Sequence, residues 1–268
     1  MANIFGTAIC FLLVSNTVNK EVMANMIDEG TSRRAMTTGS VWPQPQYEQR
    51  DENNKYTVDP KKFKFESKLK ANDILQNAFN RYRDLTFPDQ SYESCPMLDK
   101  LVKLIVFVNK SQVLDENSDE SYKLNVEAPI ANLYATSVWG ALRGLETFSQ
   151  LVFEDGSNYI IHKNKIIDQP RFKYRGFLID TSRHYLPVKI ILQFLDAMAY
   201  SKFNVLHWHI VDDPSFPFVS REFPELHKNG AFHPQSHVYT PADVQNIIQY
   251  AKFRGIRVLP EFDTPGKV

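Results

Sequence analysis

Apolar runs that end in charged residues recur three times towards the C-terminal end of the chain, at Phe177–Arg183, Val205–Asp213 and Ile256–Asp263. Between them lie two segments with apolar residues at helical spacing, one opened by Pro187 and the other by the capping sequence Thr240–Asp243. Strands that alternate with helices are typical of a parallel sheet, and the pattern predicts the first three β/α units of a TIM (β/α)8 barrel. Because the active sites of such barrels lie at the carboxyl ends of the strands, chemistry is expected where each run ends.

A different pattern precedes these runs and predicts an N-terminal α+β domain over residues 41–168, with the partial barrel domain covering 169–268. Gln169-Pro170-Arg171 marks the boundary between the two. Alternating and helical spacing predict strands at Lys62–Glu66, Leu101–Val108 and Tyr122–Val126, helices at Ile74–Tyr82 and Ala135–Phe153, and a hairpin formed by Tyr159–Ile161 and Lys165–Ile167.

The first forty residues do not follow either pattern. Residues 1–18 hold an apolar run of signal-peptide length, too short for the roughly 20 residues that span a bilayer. They are predicted to be a signal peptide, with a buried N-terminal strand or helix as the alternative. Residues 19–40 are polar without a period and are predicted to be a linker or propeptide.

Composition places the chain among globular proteins, with 43% hydrophobic and 23% charged residues. Thirty-one basic residues balance thirty-one acidic ones, so no net field favours nucleic acid or an anionic membrane. Removal of a signal peptide would leave Cys95 as a single cysteine, which cannot form an internal disulfide. Asn109-Lys110-Ser111 is a glycosylation sequon and agrees with the secretory pathway.

Arg183 and the pair Asp212-Asp213 are the main candidates for chemistry. Arg183 could grip substrate oxygens at the barrel mouth, or it could form a structural salt bridge with a neighbouring aspartate. Adjacent carboxylates point to different sides, so one of Asp212 and Asp213 could face the mouth while the other braces the loop. The segment 212–239 is predicted to be a long loop, and long loops in compact domains are usually functional.

Two further groups allow two interpretations each. His207 and His209 lie on one face of a predicted strand and could bind a metal with Asp263 or His237, but packing is the favoured interpretation because no third ligand has metal-site spacing. Glu261 and Asp263 end the third strand and could serve either chemistry or loop bracing.

Taken together, these runs resemble the lysosomal β-N-acetylhexosaminidases of glycoside hydrolase family 20. The matching segments are 41–45 (Val-Trp-Pro-Gln-Pro), 81–83 (Arg-Tyr-Arg), 138–152, 175–189, 202–213, 236–241 and 254–266.

This resemblance implies removal of terminal β-linked N-acetylhexosamine from glycoconjugates by retaining, substrate-assisted catalysis, in which the acetamide of the sugar attacks the anomeric carbon. It implies that Arg183 binds sugar hydroxyls, that Asp212 belongs to the substrate site and to an Asp-His-Glu relay, and that Asp213 supports them. It implies no cofactor and no metal, a homo- or heterodimer, and a lysosomal or secreted location.

The resemblance also has departures. Gly266-Lys267-Val268 carries lysine where the family has the relay histidine, and the family's catalytic Glu and its Asp neighbour are expected beyond Val268. The sequence therefore predicts a C-terminally truncated hexosaminidase without turnover of its own. A non-catalytic sugar-binding or dimerising subunit and a metal-dependent hydrolase remain as alternatives.

Overall fold

The computed structural model describes residues 38–69, 72–92, 94–110 and 113–264. The predicted signal peptide at 1–18, most of the predicted linker at 19–40 and the departure at Gly266-Lys267-Val268 lie outside the described residues. None of the described helices is long and apolar enough to cross a bilayer.

The first part of the described chain forms a mixed sheet of seven strands in the order β1-β7-β4-β5-β3-β2, with β6 paired to β7. The β1–β7, β7–β4, β4–β5 and β6–β7 pairs are antiparallel, whereas β5–β3 and β3–β2 are parallel. Its strands are β1 (Tyr47–Val58), β2 (Lys64–Ser67), β3 (Lys103–Lys110), β4 (Tyr122–Val126), β5 (Ile130–Ser137), β6 (Phe153–Asp155) and β7 (Asn158–Asp168).

Two helices, α1 (Asp73–Thr86) and α2 (Val138–Leu151), cover one face of this sheet. The Asn72 side chain caps α1, and the Ser137 hydroxyl accepts from the first N–H groups of α2. Almost every residue of α2 is buried, because it packs against the sheet and also contacts the second part of the chain.

The second part forms a parallel sheet in the order β10-β9-β8, in which Gly176 and Arg257 both pair with Val205. Helices pack on it through a separate apolar core that includes the buried Trp208. The elements are β8 (Gly176–Asp180), α3 (Val188–Tyr200), β9 (Val205–Val211), α4 (Pro224–Gly230), α5 (Pro241–Lys252) and β10 (Arg257–Phe262). The predicted α/β class, an α+β domain followed by part of a barrel, is confirmed. The number of β/α units stays a prediction.

A buried ionic cluster joins the two parts. The Glu120 carboxylate, before β4, accepts hydrogen bonds from Arg143 Nε at 2.7 Å, from Arg175 Nη2 and from Asn204 Nδ2 at 2.7 Å. Arg175 and Asn204 directly precede β8 and β9, so Glu120 fixes the amino ends of two barrel strands. Beside it, Lys202 Nζ donates to Thr147 Oγ1 at 2.8 Å.

Three of the predicted elements differ in the structure, and one strand was not predicted. Residues 158–168 form one strand instead of a hairpin, because β1 pairs with β7 over Tyr159–Ile167 and β4 pairs with its second half, Asn164–Asp168. Tyr47–Val58 was not predicted as a strand, and the predicted helix at Ala135–Phe153 begins only at Val138, after β5. The predicted loop 212–239 contains the short helix α4.

Asn109 was expected in a loop but lies near the end of β3. The side chain is exposed there. Ser111, which completes the sequon, lies outside the described residues.

Candidate functional site at the strand ends

The turn after β8 places the Arg183 guanidinium. Asp180, the last residue of β8, accepts hydrogen bonds through Oδ1 from the backbone N–H groups of Ser182 at 3.0 Å and Arg183 at 3.1 Å. This is the turn that a short acidic side chain stabilises with its own following backbone. The second oxygen of Asp180 accepts from Arg183 Nη1 at 2.5 Å, so one carboxylate fixes both the backbone and the side chain of Arg183.

Asp212 follows β9 and holds the other arm of the guanidinium. Arg183 Nη2 lies 2.6 Å from Asp212 Oδ2. The Ser182 hydroxyl donates to the backbone carbonyl of Ser215 at 2.8 Å and lies 3.2 Å from the Asp212 carbonyl, which ties the β8 turn to the β9 turn. The structure therefore brings together the two residues that were predicted to bind substrate.

The environment of the buried Asp212 carboxylate favours its ionised form. The backbone N–H of Asp213 donates to Asp212 Oδ1 at 2.8 Å and, with His209 and Arg183, holds the pKa of Asp212 below its usual value. Asp213 itself is exposed. Asp213 contacts Asp212 through its backbone N–H, and the two adjacent acids differ in exposure.

His209 connects β9 to β10. Its Nε2 lies 3.1 Å from Asp212 Oδ2, and its Nδ1 lies 2.9 Å from Glu261 Oε2. Burial opposes the charged form of His209, but the hydrogen bonds to Glu261 and Asp212 outweigh it and raise the pKa of His209. The hydrogen bond from His209 in turn lowers the pKa of Glu261. An imidazolium between two carboxylates is the state that this geometry stabilises.

These contacts argue against the metal role that the sequence left open as an alternative for the two histidines. His207 Nε2 lies 2.6 Å from the same Glu261 oxygen, and His209 has a carboxylate on each ring nitrogen, so no lone pair of His209 is left for a metal ion. His209, Glu261 and Asp263 can bring ligand atoms within 4.8 Å of one another, whereas His237 is exposed and bonds to Ser236. We interpret the cluster as an ion-pair network.

The network ends at the Arg183 guanidinium, which is partly exposed to solvent. About half of the Arg183 side chain, 53%, is accessible to solvent, although both terminal nitrogens have carboxylate partners. Guanidinium N–H groups that are held in a fixed plane suit the binding of neighbouring hydroxyl groups. Burial opposes ionisation of Asp180, but hydrogen bonds from Arg183 and Ser182 lower its pKa as well.

Sequence reasoning did not place Asp180 in the site, and it left the roles of His209 and Glu261 open. A signal for them exists, because His207 and His209 share a strand face and Glu261 pairs with His209 in the parallel register of β9 and β10. An acidic residue at a turn, three residues before an arginine, is likewise a pattern that can be recognised in a sequence.

Charged groups that converge at the carboxyl ends of parallel β/α strands are typical of the β/α-barrel class of enzymes. Two family models match this chain: glycosyl hydrolase family 20, catalytic domain, over residues 172–268, and β-acetyl hexosaminidase like over residues 41–151. The chain belongs to glycosyl hydrolase family 20.

Curated relatives and solved structures agree with this assignment. The chain is 54% identical over 202 residues to β-hexosaminidase subunit beta of Mus musculus and 47% identical over 242 residues to subunit alpha of Bos taurus. These matches cover 72% and 85% of this chain but 38% and 45% of the relatives, so the chain spans less than half of their length.

Two solved structures show the same fold. Flavobacterium johnsoniae chitobiase superposes with a TM-score of 0.74 at 31% identity, over 85% of this chain and 35% of that one. A family 20 exo-β-N-acetylglucosaminidase from Vibrio harveyi, in complex with N-acetylglucosamine, gives 0.66 at 26% identity, over 87% of this chain and 37% of that one.

Proposed function

We propose that the protein is a β-N-acetylhexosaminidase that removes terminal non-reducing N-acetylhexosamine from glycoconjugates by substrate-assisted, retaining catalysis. The observation that carries the proposal is the Arg183 guanidinium, held between Asp180 and Asp212 and still half accessible at the strand ends. Support comes from membership of family 20 and from relatives that are named β-hexosaminidase subunits.

Within this activity, the described residues act in binding. Arg183 donates hydrogen bonds to hydroxyls of the terminal sugar, Asp212 fixes the plane of the guanidinium, and Asp213 supports Asp212 through its backbone N–H. A general acid needs a raised pKa to hold its proton near neutral pH. Asp180, Asp212 and Glu261 have lowered pKa values, so we do not assign the acid's role to any of these three.

The lowered pKa values favour a second candidate function, which is sugar binding by this chain without hydrolysis. Turnover of an aryl β-N-acetylglucosaminide at acid pH distinguishes the two. Hydrolysis by the 268-residue polypeptide would support the first function, whereas binding of N-acetylglucosamine with the aryl glycoside left intact would support the second. Release of the aryl group by the purified chain would contradict the binding-only form and support hydrolysis by this chain alone.

Ligand-observed NMR with N-acetylglucosamine tests the site itself. Arg183→Lys keeps the charge but loses the planar fork, so we expect affinity to fall by about tenfold or more, the loss of roughly one charge-assisted hydrogen bond. Asp213→Asn keeps the backbone N–H that contacts Asp212 and is the matched control, with affinity unchanged. Equal binding by Arg183→Lys and the parent chain would refute the assignment.

We further propose residues 41–168 and 169–268 as domains, a lysosomal or secreted location, and assembly into a homo- or heterodimer. The two family models, matched over residues 41–151 and 172–268, support the domains, and the naming of the relatives as alpha and beta subunits supports the assembly. Light scattering of the secreted protein tests the assembly: a monomer at micromolar concentration would contradict the homodimer.

A further inference from the structure

A row of exposed and half-buried side chains crosses the solvent face of the seven-stranded sheet, opposite α1 and α2. Phe107, Tyr134, Lys123 and Ile167 are successive partners in register on β3, β5, β4 and β7. The Phe107 and Tyr134 rings stack with centroids 4.8 Å apart and planes 13° from parallel. Tyr134 is nevertheless 48% exposed, which is unusual for a large ring that already has an aromatic neighbour.

Beside this ring lies a cavity of about 450 Å³ that is also lined by Asn109. Its volume is within the range of small-molecule sites. Asn109 is two residues after Phe107 on β3, and side chains at that spacing share a face of the sheet. The remaining lining includes the Thr136 and Ser121 hydroxyls, whose oxygens are 3.5 Å apart, and Lys123.

An exposed ring with polar groups around it is suited to a pyranose, which packs its C–H face on an aromatic face and directs its hydroxyls outward. Asn109 begins the sequon Asn-Lys-Ser, so a sugar attached to its amide would start at the rim of this cavity. The last register partner of β2 on β3 is Val106, so Asn109 lies past that neighbour, next to β5 alone among the described strands.

We propose that Asn109 carries an N-linked glycan whose first N-acetylglucosamine packs against Tyr134 in this cavity, with Phe107 supporting the ring. The amide nitrogen of Asn109 forms the bond to C1 of the sugar and loses one proton, while the C1–O bond to the lipid pyrophosphate breaks and the lipid pyrophosphate leaves with that electron pair. This site is distinct from the substrate site at the strand ends, and it does not depend on the proposed hydrolase activity.

The test compares glycoforms of the full chain secreted from insect cells. Peptide mass spectrometry measures occupancy of Asn109, and trimming to a single N-acetylglucosamine isolates the sugar in question. We expect the trimmed protein to melt about 2–4 °C above Asn109→Gln, the shift of one favourable aromatic contact in a chain of this size. In a Tyr134→Thr background, the trimmed protein and Asn109→Gln should have the same melting temperature. In a Tyr134→Phe background, the difference in melting temperature should remain.

Tyr47→Thr is the matched control, because Tyr47 is an equally exposed tyrosine of the same sheet that does not line the cavity. It should leave the glycan-dependent shift intact. If Tyr134→Thr does not fold, the acetyl methyl resonance of the single sugar in the parent protein replaces it: packing on the ring moves that resonance upfield relative to the free glycopeptide. An unoccupied Asn109, an unshifted methyl resonance or a melting difference that persists without the Tyr134 ring would overturn the proposal.

Discussion

Replacing Glu120 by glutamine should lower the free energy of unfolding, because Glu120 joins the two parts of the described chain. The carboxylate is buried and receives three hydrogen bonds, two of them from guanidinium groups. Burial opposes its ionisation, but Arg143 and Arg175 outweigh burial and lower the pKa of Glu120. Glutamine has the same shape but carries no charge, and its amide nitrogen would place a donor against another donor.

The magnitude follows from the groups that are left behind. Arg143 is 3% exposed, so it has no water to replace the lost carboxylate, although its other nitrogens still donate to the carbonyls of Arg254 and Gly255. Removing one partner of a buried ion pair costs about 3–5 kcal/mol. A domain is stable by only about 5–15 kcal/mol, so Glu120→Gln should remove a large fraction of the free energy of unfolding.

Urea unfolding at pH 7 measures this loss, and a pH series tests its origin. Because the folded pKa of Glu120 is lowered, its contribution is present above the unfolded pKa of about 4.3 and is lost as pH falls through the folded pKa. The difference between parent and variant should therefore be constant from about pH 5.5 to 7 and shrink in stronger acid.

Glu127→Gln provides the control, since the Glu127–Lys163 pair is 2.5 Å long but exposed on both sides. Exposed pairs contribute little, so this variant should unfold with the parent. A loss of less than about 1 kcal/mol in Glu120→Gln, or equal losses in the two variants, would refute the reasoning that burial makes the cluster strong.

Two other variants test the geometry elsewhere. Glu261→Gln should be less stable than the parent chiefly between about pH 4.3 and 6.5. The raised pKa of His209 makes the stabilisation by the pair complete below about pH 6.5, and the lowered pKa of Glu261 makes it complete above about pH 4.3. Melting temperatures that differ equally at pH 5 and pH 8 would contradict this. Gly140→Ala should destabilise the protein more than Gly144→Ala, as measured by calorimetry. A Cβ at position 140 would lie 2.3 Å from the backbone oxygen of Ser121, whereas a Cβ at position 144 meets the movable end of a leucine side chain.

The barrel strands could be predicted because their signals are local. Apolar runs end in acids, and the capping box of α5, with Thr240 and Asp243 bonded reciprocally, is written in four consecutive residues. Arg183 and Asp212 could be placed together for the same reason, since neighbouring parallel strands end at one edge of a sheet.

The missed elements depend on partners far along the chain. Strand β1 is almost entirely polar over Tyr47–Asn54, and it is a strand because it pairs with β7. Within β7, Asn164 looks like a turn residue, but it is buried and donates to Glu48 Oε1 of β1 at 2.7 Å. Polar residues inside a strand suggest a turn in the sequence, because the distant partner that forms their hydrogen bonds is not known from the sequence.

The ionic cluster and the sugar site lie at opposite ends of the same strands, separated by about five residues of β8, or roughly 16 Å. Glu120 fixes the amino ends, whereas Arg183 is oriented locally by Asp180 and Asp212. Under conditions where Glu120→Gln is still folded, its affinity for N-acetylglucosamine should therefore equal that of the parent. A parallel loss of stability and of sugar affinity at 25 °C and pH 7 would mean that the N-terminal domain sets the geometry of the strand ends, against the local hydrogen bonds that we hold responsible.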